Sequence, residues 1–363
     1  MTANGRARER RVGGLLVPVT TVFDSYWRFA YERQELFFRR VAGLPPPWTA
    51  DSVIGGHRFT NVYRASDRVS QYLIRHVVYE GDQCEEEVFF RTVLFKLFNR
   101  IGTWERLVAA LGELSWRRFD FRRYADALDT LFADGERVYS AAYIMPSPAF
   151  GELRKHANHL RLVEHMMRDG APRRLSRAES LAEVFSVLRG YRSLGDFLAF
   201  QLAIDLNYGP TVNFDESDFV VAGPGALDGM RKCFPDLGDL QPEQVIRFMA
   251  EAADSEFERL GLPFRSLWGR PLQLIDCQNV FCELSKYARV IHPEVAGTSG
   301  RTRIKQKYAP SATSEPVPQW YPPKWGLNAK IAAPDASSER KARRGRPVQQ
   351  RFADEILRPS AAG

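Results

Sequence analysis

Between Asp24 and Tyr287 apolar residues return every three or four positions, and strict alternation is scarce. This constrains the chain more than any other feature. A period near 3.6 aligns one helix face, whereas a half-buried strand needs a period of 2. Val19–Phe23 is the best strand candidate, and it is short. Tyr26, Phe29, Ala30, Arg33, Phe37 and Val41 share a face of a helix that Asp24 can cap, and Gly43 with Pro45-Pro46-Pro47 stops it. Further helices are predicted over 61–79, 85–99, 104–111, 121–133, 148–168, 180–188, 197–207 and 242–260, and a last one carries 276–287. The expected class is all-α, a multi-helix globular body.

Charge divides the chain. The net charge is +7 over 363 residues. From Thr298 onward 13 Lys and Arg face 5 Asp and Glu, and the other 297 residues are close to neutral. The same stretch holds 8 of the 22 prolines. Such a segment buries too little apolar surface to offset its ordering entropy. The division read from this is 1–17 as a disordered N-terminal segment, 18–297 as the helical body, and 298–363 as a disordered basic tail. Gln319–Trp325 stands apart, because its aromatic residues could dock on the body. Within the tail, Arg343-Arg344-Gly345-Arg346-Pro347 resembles an AT-hook, whose arginines enter the narrow, strongly negative minor groove of A·T tracts. The plainer alternative is a basic tail that binds any polyanion through phosphate neutralisation.

Several classes are disfavoured. No apolar run approaches a membrane span. The Arg-rich N-terminus does not read as a secretory signal, and Cys84, Cys233, Cys277 and Cys282 form no CxxC pair. An intracellular, reducing setting is expected: cytoplasm or nucleoid, or a nucleus if the source is eukaryotic. There is no GxxxxGK[ST] loop, no HExxH and no GxSxG elbow. No dedicated metal cage and no cofactor motif is evident.

Two constellations carry chemistry. In the run Asp276–Tyr287, the residues Asp276, Asn279, Glu283 and Lys286 step along one helix face, while Phe281, Leu284 and Ala288 occupy another. Such a polar row can line a cleft, or it can be a solvated face with weak ion pairs. In the second, Gly195 opens a helix directly from a turn, which exposes backbone N–H groups at a positive dipole end, a natural phosphate seat. Asp215, Glu216 and Asp218 follow. Crowded acids can raise one another's pKa toward that of a general base, although acids before a helix are also ordinary N-caps. This order of Gly turn, helix and later aspartate resembles the helix-hairpin-helix DNA glycosylases, with Asp215 twenty residues after Gly195.

A closer resemblance covers roughly Pro18–Pro293. Its residues, in order, are Arg58–Arg64 with Asp67, Leu94–Asn99 with Thr103-Trp104, Gly195–Gln201, Asp218-Phe219 with Ala222–Ala226, and Asp276–Asn279 with Cys282-Glu283 and Lys286-Tyr287. Together they resemble the α-glutamyl/putrescinyl thymine pyrophosphorylase group, also met as the helical domain fused to 5-hydroxymethyluracil DNA kinases. The resemblance implies a glycosylase-like helical fold acting on double-stranded DNA. It implies that pyrophosphate on a modified thymine is displaced by an amine or amino-acid co-substrate, with a 5-hydroxymethyluracil DNA kinase acting in trans. The alternatives are a glycosylase or lyase for modified thymine and a non-catalytic DNA-binding protein. Under the transferase reading, Arg58, Arg64 and Lys286 would take up charge on the leaving group. Asp215, Asp218 or Asp276 would serve as base, with Glu283 beside them. Asn61, Asn99, Gln278 and Asn279 would contact an extruded pyrimidine. Gly195, Arg343, Arg344 and Arg346 would hold DNA. Mg²⁺ would be an optional companion of the pyrophosphate.

Overall fold

The computed structural model describes residues 8–142, 144–309 and 317–332. The AT-hook-like string with Arg343, Arg344 and Arg346 lies outside the described residues.

The body is helical, as the periodicity requires. A first group of helices comprises α1 (Val22–Val41), α2 (Ser52–Gly56), α11 (Pro224–Cys233), α12 (Pro242–Glu251), α13 (Ala253–Arg259) and α14 (Leu274–Ile291). The second comprises α3 (Arg68–Tyr72), α4 (Glu85–Phe98), α5 (Ile101–Leu111), α6 (Phe121–Ala133), α7 (Lys155–Arg168), α8 (Ala171–Ser176), α9 (Leu181–Arg189) and α10 (Asp196–Asn207). In the first, α14 packs on α1, α11 and α12; in the second, α4 packs on α7, α8 and α10. Residues 199–207 of α10 and 87–98 of α4 are buried without a break. A helix buried on every side is a core helix, and its polar members Lys96, Gln201 and Asp205 must find partners inside. The buried faces of α1 and α14 meet through Tyr26 and Phe281, with ring centroids 4.7 Å apart.

Four differences from the sequence expectations are instructive. First, residues 9–18 form an antiparallel hairpin, β1 (Glu9–Val12) with β2 (Leu15–Pro18), rather than part of a disordered segment. Gly13 and Gly14, both at positive φ, make its turn, and Val12 and Val17 are buried. The Val19–Phe23 run is no strand; α1 begins within it, with Thr21 at the N-cap position, while Asp24 pairs with Arg8 and Arg259. Second, the helix expected over 61–79 does not exist as such. Residues 57–63 run as a loop, a 3₁₀ turn covers Arg64–Ser66, and α3 passes straight into a π-helical turn, Leu73–Val78. Third, α11 is absent from the expected helices; it grows out of the string 222–226 and meets α14 at Gly225 and Gly229. Fourth, the tail beyond 298 is not wholly loose, because residues 317–332 pack on the body with a 3₁₀ turn at Pro323–Trp325 and α15 (Asn328–Ala332).

Docking of this strap has a clear chemical basis. Tyr321 is fully buried and its hydroxyl lies 2.7 Å from Ser66 Oγ. Trp325 lies beneath the Arg270 guanidinium, 3.9 Å from the ring centroid. The Lys324 ammonium donates to the carbonyls of Asn207, Gly209 and Val212 at 2.6–2.8 Å. The first of these carbonyls ends α10 and the other two belong to the turn and loop that follow it. Lys324→Met should therefore loosen the strap by about 2 kcal/mol, the scale of hydrogen bonds to a charged group. Hydrogen exchange at 320–328 would accelerate; unchanged protection there would show that the aromatic contacts suffice.

Candidate functional site

The loop 57–67 is held from three sides. From α14, Asn279 Nδ2 donates to Asn61 O at 2.9 Å, Glu283 accepts the Thr60 N–H at 3.2 Å, and Asp276 Oδ1 accepts the Arg64 N–H at 2.9 Å. The row 276, 279, 283 thus meets backbone groups at its own helical spacing. From α1, buried Arg33 donates to the carbonyls of Phe59 and Thr60 at 3.0–3.1 Å and to Asn61 Oδ1 at 3.2 Å. Lys286 pairs with Glu283 at 2.5 Å and lies 5.5 Å from the Phe59 ring centroid. Within the loop, Asp67 accepts the Asn61 N–H at 2.7 Å.

Beneath the loop lies a buried ionic network. The Arg64 guanidinium meets Asp205 Oδ1 at 2.7 Å, Tyr208 OH at 2.9 Å and Gln201 Oε1 at 3.0 Å. Lys96 takes the other Asp205 oxygen at 2.7 Å. Gln201 continues to Gln278 at 3.4 Å, and Gln278 to Cys282 Sγ. Burial alone would raise the Asp205 pKa, but Arg64 and Lys96 outweigh it and hold the carboxyl below its ordinary value. Asp276 has only the weaker pull of the Arg270 charge. Burial, reinforced by the charge of Glu216, pushes it up to about 7 against the pull of the Arg64 and Gln273 N–H groups. Burial likewise pushes Asp67 up to about 7, with Glu283 adding to the effect. Glu216 is also raised by burial, and its partner is Arg270 at 3.1 Å.

On its outer side the loop borders a cavity of about 280 Å³. Asn61, Ser66 and Arg68 line it together with Tyr72 and Arg75, the end of α1, and Val317–Trp320 of the strap. Among the described residues no group of three or more His, Cys, Asp or Glu is placed to hold a metal ion. None of their helices is long and apolar enough to cross a membrane.

The structure brings together Asn61, Arg64, Asp276, Gln278, Asn279, Glu283 and Lys286, and it separates the rest. Arg58, Asn61 and Arg64 do not share a helix face, because the three-sided clamp keeps the segment extended. Arg58 is exposed and donates to Lys307 O, while Arg64 is buried. Asn99 ends α4 in the left-handed conformation at φ 48°, a helix-terminating position. Asp215 and Asp218 are exposed. The crowding expected to raise Asp215 does not do so: the Ser217 N–H, 2.9 Å away, holds its carboxyl below the ordinary value. The buried acid of that trio is Glu216. Gly195 caps α10 at an exposed turn leading from α9, with open space beside it.

Sequence reasoning passed over Asp67, Lys96 and Gln201, although each lies inside a quoted string. Arg33, Asp205, Tyr208 and Arg270 were outside all of them. One signal was available: Arg68, Gln71, Tyr72, Arg75 and His76 fall at i, i+3, i+4, i+7 and i+8, a polar face whose members all border the cavity.

Comparison with known proteins identifies the family of the chain. The family described as "5-hmdU DNA kinase, helical domain" matches residues 20–297. A 5-hmdU DNA kinase of Bacillus phage SP10 is 29% identical over 290 residues, which are 74% of this chain and 45% of the phage protein. The chain thus spans less than half the length of that curated relative. No solved structure matches. The strings 58–67, 94–99, 195–201 and 276–287 all contribute to the loop and its network, and they fall within or against the matched span. The chain belongs to the 5-hmdU DNA kinase helical-domain family.

Proposed function

We propose that this protein modifies 5-hydroxymethyluracil in DNA, taking the pyrophosphorylated base and replacing its pyrophosphate with an amine or amino acid. The observation that carries the reading is the convergence of four family strings on one clamped loop, 57–67, whose outer side borders a cavity. A rigid loop is what such a site needs, because a nucleophile and a leaving group must be held in line. In the reaction the amine nitrogen attacks the methylene carbon on C5 and the C–O bond breaks. The bonding electron pair leaves with pyrophosphate, and the surplus N–H proton passes to a base.

Asp67 stands directly behind the cavity wall and would take the proton through one intervening water. Its carboxyl is already hydrogen-bonded to Asn61, a cavity residue, and its neighbours Ser66 and Arg68 are cavity residues too. With a pKa pushed up to about 7, it exchanges protons near neutral pH. Asp276 has the same elevation but is fully enclosed and committed to two backbone N–H groups. Arg64, occupied by Asp205, serves as a support for the loop rather than as a cation for the leaving group.

The direct test is incubation with a duplex bearing 5-pyrophosphoryloxymethyluracil, a mixture of amino acids and polyamines, and Mg²⁺, followed by nucleoside mass spectrometry. An adduct with pyrophosphate release establishes the transfer and names the donor; a missing base would instead establish a glycosylase. Asp67→Asn should lower turnover by about 100-fold or more, the usual contribution of a general base. Turnover of the parent protein should rise as pH passes through about 7 and Asp67 loses its proton. The stability linkage has the opposite sign. The folded pKa lies above the ordinary 3.8, so the stabilisation is complete below 3.8 and is lost as pH rises through about 7. An Asn variant with parental turnover and an unchanged pH profile would remove Asp67 from the chemistry.

A further inference from the structure

The cavity beside the loop has a character that a merely structural crevice would not need. Arg40, Arg68 and Arg75 border it, and among the described residues no Asp or Glu does. Arg68 and Arg75 are exposed, and neither makes a hydrogen bond or an ion pair with a described residue; Arg40 lies over the Trp48 ring, 5.2 Å from its centroid. His76 also borders the cavity and contacts Glu80 at 2.8 Å. Elsewhere on this protein arginines are commonly paired, as Arg106 is with Asp134 and Arg265 with Glu35. Three guanidinium groups around one hollow repel each other until an anion joins them. Their planar donors suit the oxygens of phosphate esters.

The remaining walls are aromatic. Tyr72 comes from α3, and Trp320 from the strap. The Trp320 backbone N–H donates to Gln71 Oε1 at 2.8 Å, and the neighbouring Tyr321 hydroxyl lies against Ser66 Oγ, so cavity residues hold the strap's wall in place. The π-helical turn follows directly from Tyr72 and carries Arg75 and His76. π-turns cost hydrogen-bond geometry and are frequent at functional sites. The volume of about 280 Å³ fits one base with its substituent, not a stretch of strand.

We propose that this cavity recognises a phosphorylated pyrimidine, with Arg40, Arg68 and Arg75 on the phosphate or pyrophosphate oxygens and Trp320 and Tyr72 against the ring. The pyrimidine half rests on the function proposed above; the anion half rests on the arginines alone. The same chemistry could be met by a DNA-borne group or by free pyrophosphate, and the experiment separates the two.

Binding of the full chain would be measured by fluorescence anisotropy. The probes are a duplex bearing one 5-pyrophosphoryloxymethyluracil and the same duplex with thymine, and inorganic pyrophosphate serves as competitor. The expected preference for the modified duplex is about tenfold or more, the worth of one or two charge-assisted hydrogen bonds. Arg68→Glu with Arg75→Glu should abolish the preference and the competition, with an unchanged melting temperature, and Trp320→Ala should reduce the preference. A preference that survives the double reversal would overturn the site. Pyrophosphate binding that depends on Arg68 and Arg75, without any preference between duplexes, would overturn the pyrimidine half. Loss of preference in the double variant, with no amine adduct from the parent protein, would leave this site standing and remove the transferase reading. An adduct formed by the double variant at the parental rate would do the reverse.

Discussion

Asp205→Asn is expected to destabilise the fold by about 3–5 kcal/mol, the range for breaking a buried ion pair from one side. Asp205 is 1% exposed and each of its oxygens faces a different cation, Arg64 and Lys96. An amide keeps the shape but loses the charge, and it must turn its NH₂ toward one of the two cations. The anionic charge that faces both cations would then be gone. The damage would spread, because Arg64 ties loop 57–67 to α10. Chemical denaturation gives the magnitude, and Lys96→Met gives the coupling. With Lys96 already gone, Asp205→Asn should cost at least about 1 kcal/mol less, the signature of a shared network. Simple additivity would show that the two residues act separately. The sign with pH is also set. The folded pKa of Asp205 lies below 3.8, so its stabilisation is complete above 3.8 and fades only in stronger acid.

Gly229→Ala should cost about 3 kcal/mol or more, although the same change in an exposed helix interior would gain up to about 1 kcal/mol. The reversal comes from the crossing of α11 and α14. A Cβ at Gly229 would lie 2.1 Å from the Phe281 carbonyl oxygen and 2.9 Å from its carbon, both backbone atoms that cannot rotate away. One turn earlier, a Cβ at Gly225 would meet Cys282 Sγ at 3.0 Å, a side-chain atom with some freedom. Gly225→Ala should therefore be distinctly milder. Equal effects at the two positions, or a stable Gly229→Ala protein, would mean that α14 shifts at little cost. Such a shift would still reach the site, because α14 carries Asp276, Asn279 and Glu283. In this variant hydrogen exchange at Thr60 and Arg64 should rise along with the global loss.

Much of the fold was legible in the chain. The segments 85–98, 121–133 and 196–207 announce themselves by apolar spacing alone, with ends close to those observed. The polar row 276, 279, 283 was also legible as one face, since helical spacing is local. Its use was not: three side chains that could line a cleft instead satisfy the backbone of a loop more than 200 residues away in sequence. The misread stretch 61–79 has the same origin. Its pattern suits a helix locally, but Arg33, Asn279 and Glu283 offer the loop's backbone groups partners in the extended form, which a helix would forgo.

By itself, the sequence determined the helical class, the near-neutral body with its basic tail, and the strings that mark the family. These rest on periodicity and composition, which act over a few residues. Only the tertiary structure decided which acid would be held charged and which would be raised. Asp205, Asp215, Glu216 and Asp276 are chemically alike along the chain. They diverge because Arg64 and Lys96 surround the first, a single N–H restrains the second, and burial dominates the other two. A carboxyl's pKa depends on which charges and how much water stand within a few ångströms, and that neighbourhood is assembled from distant segments.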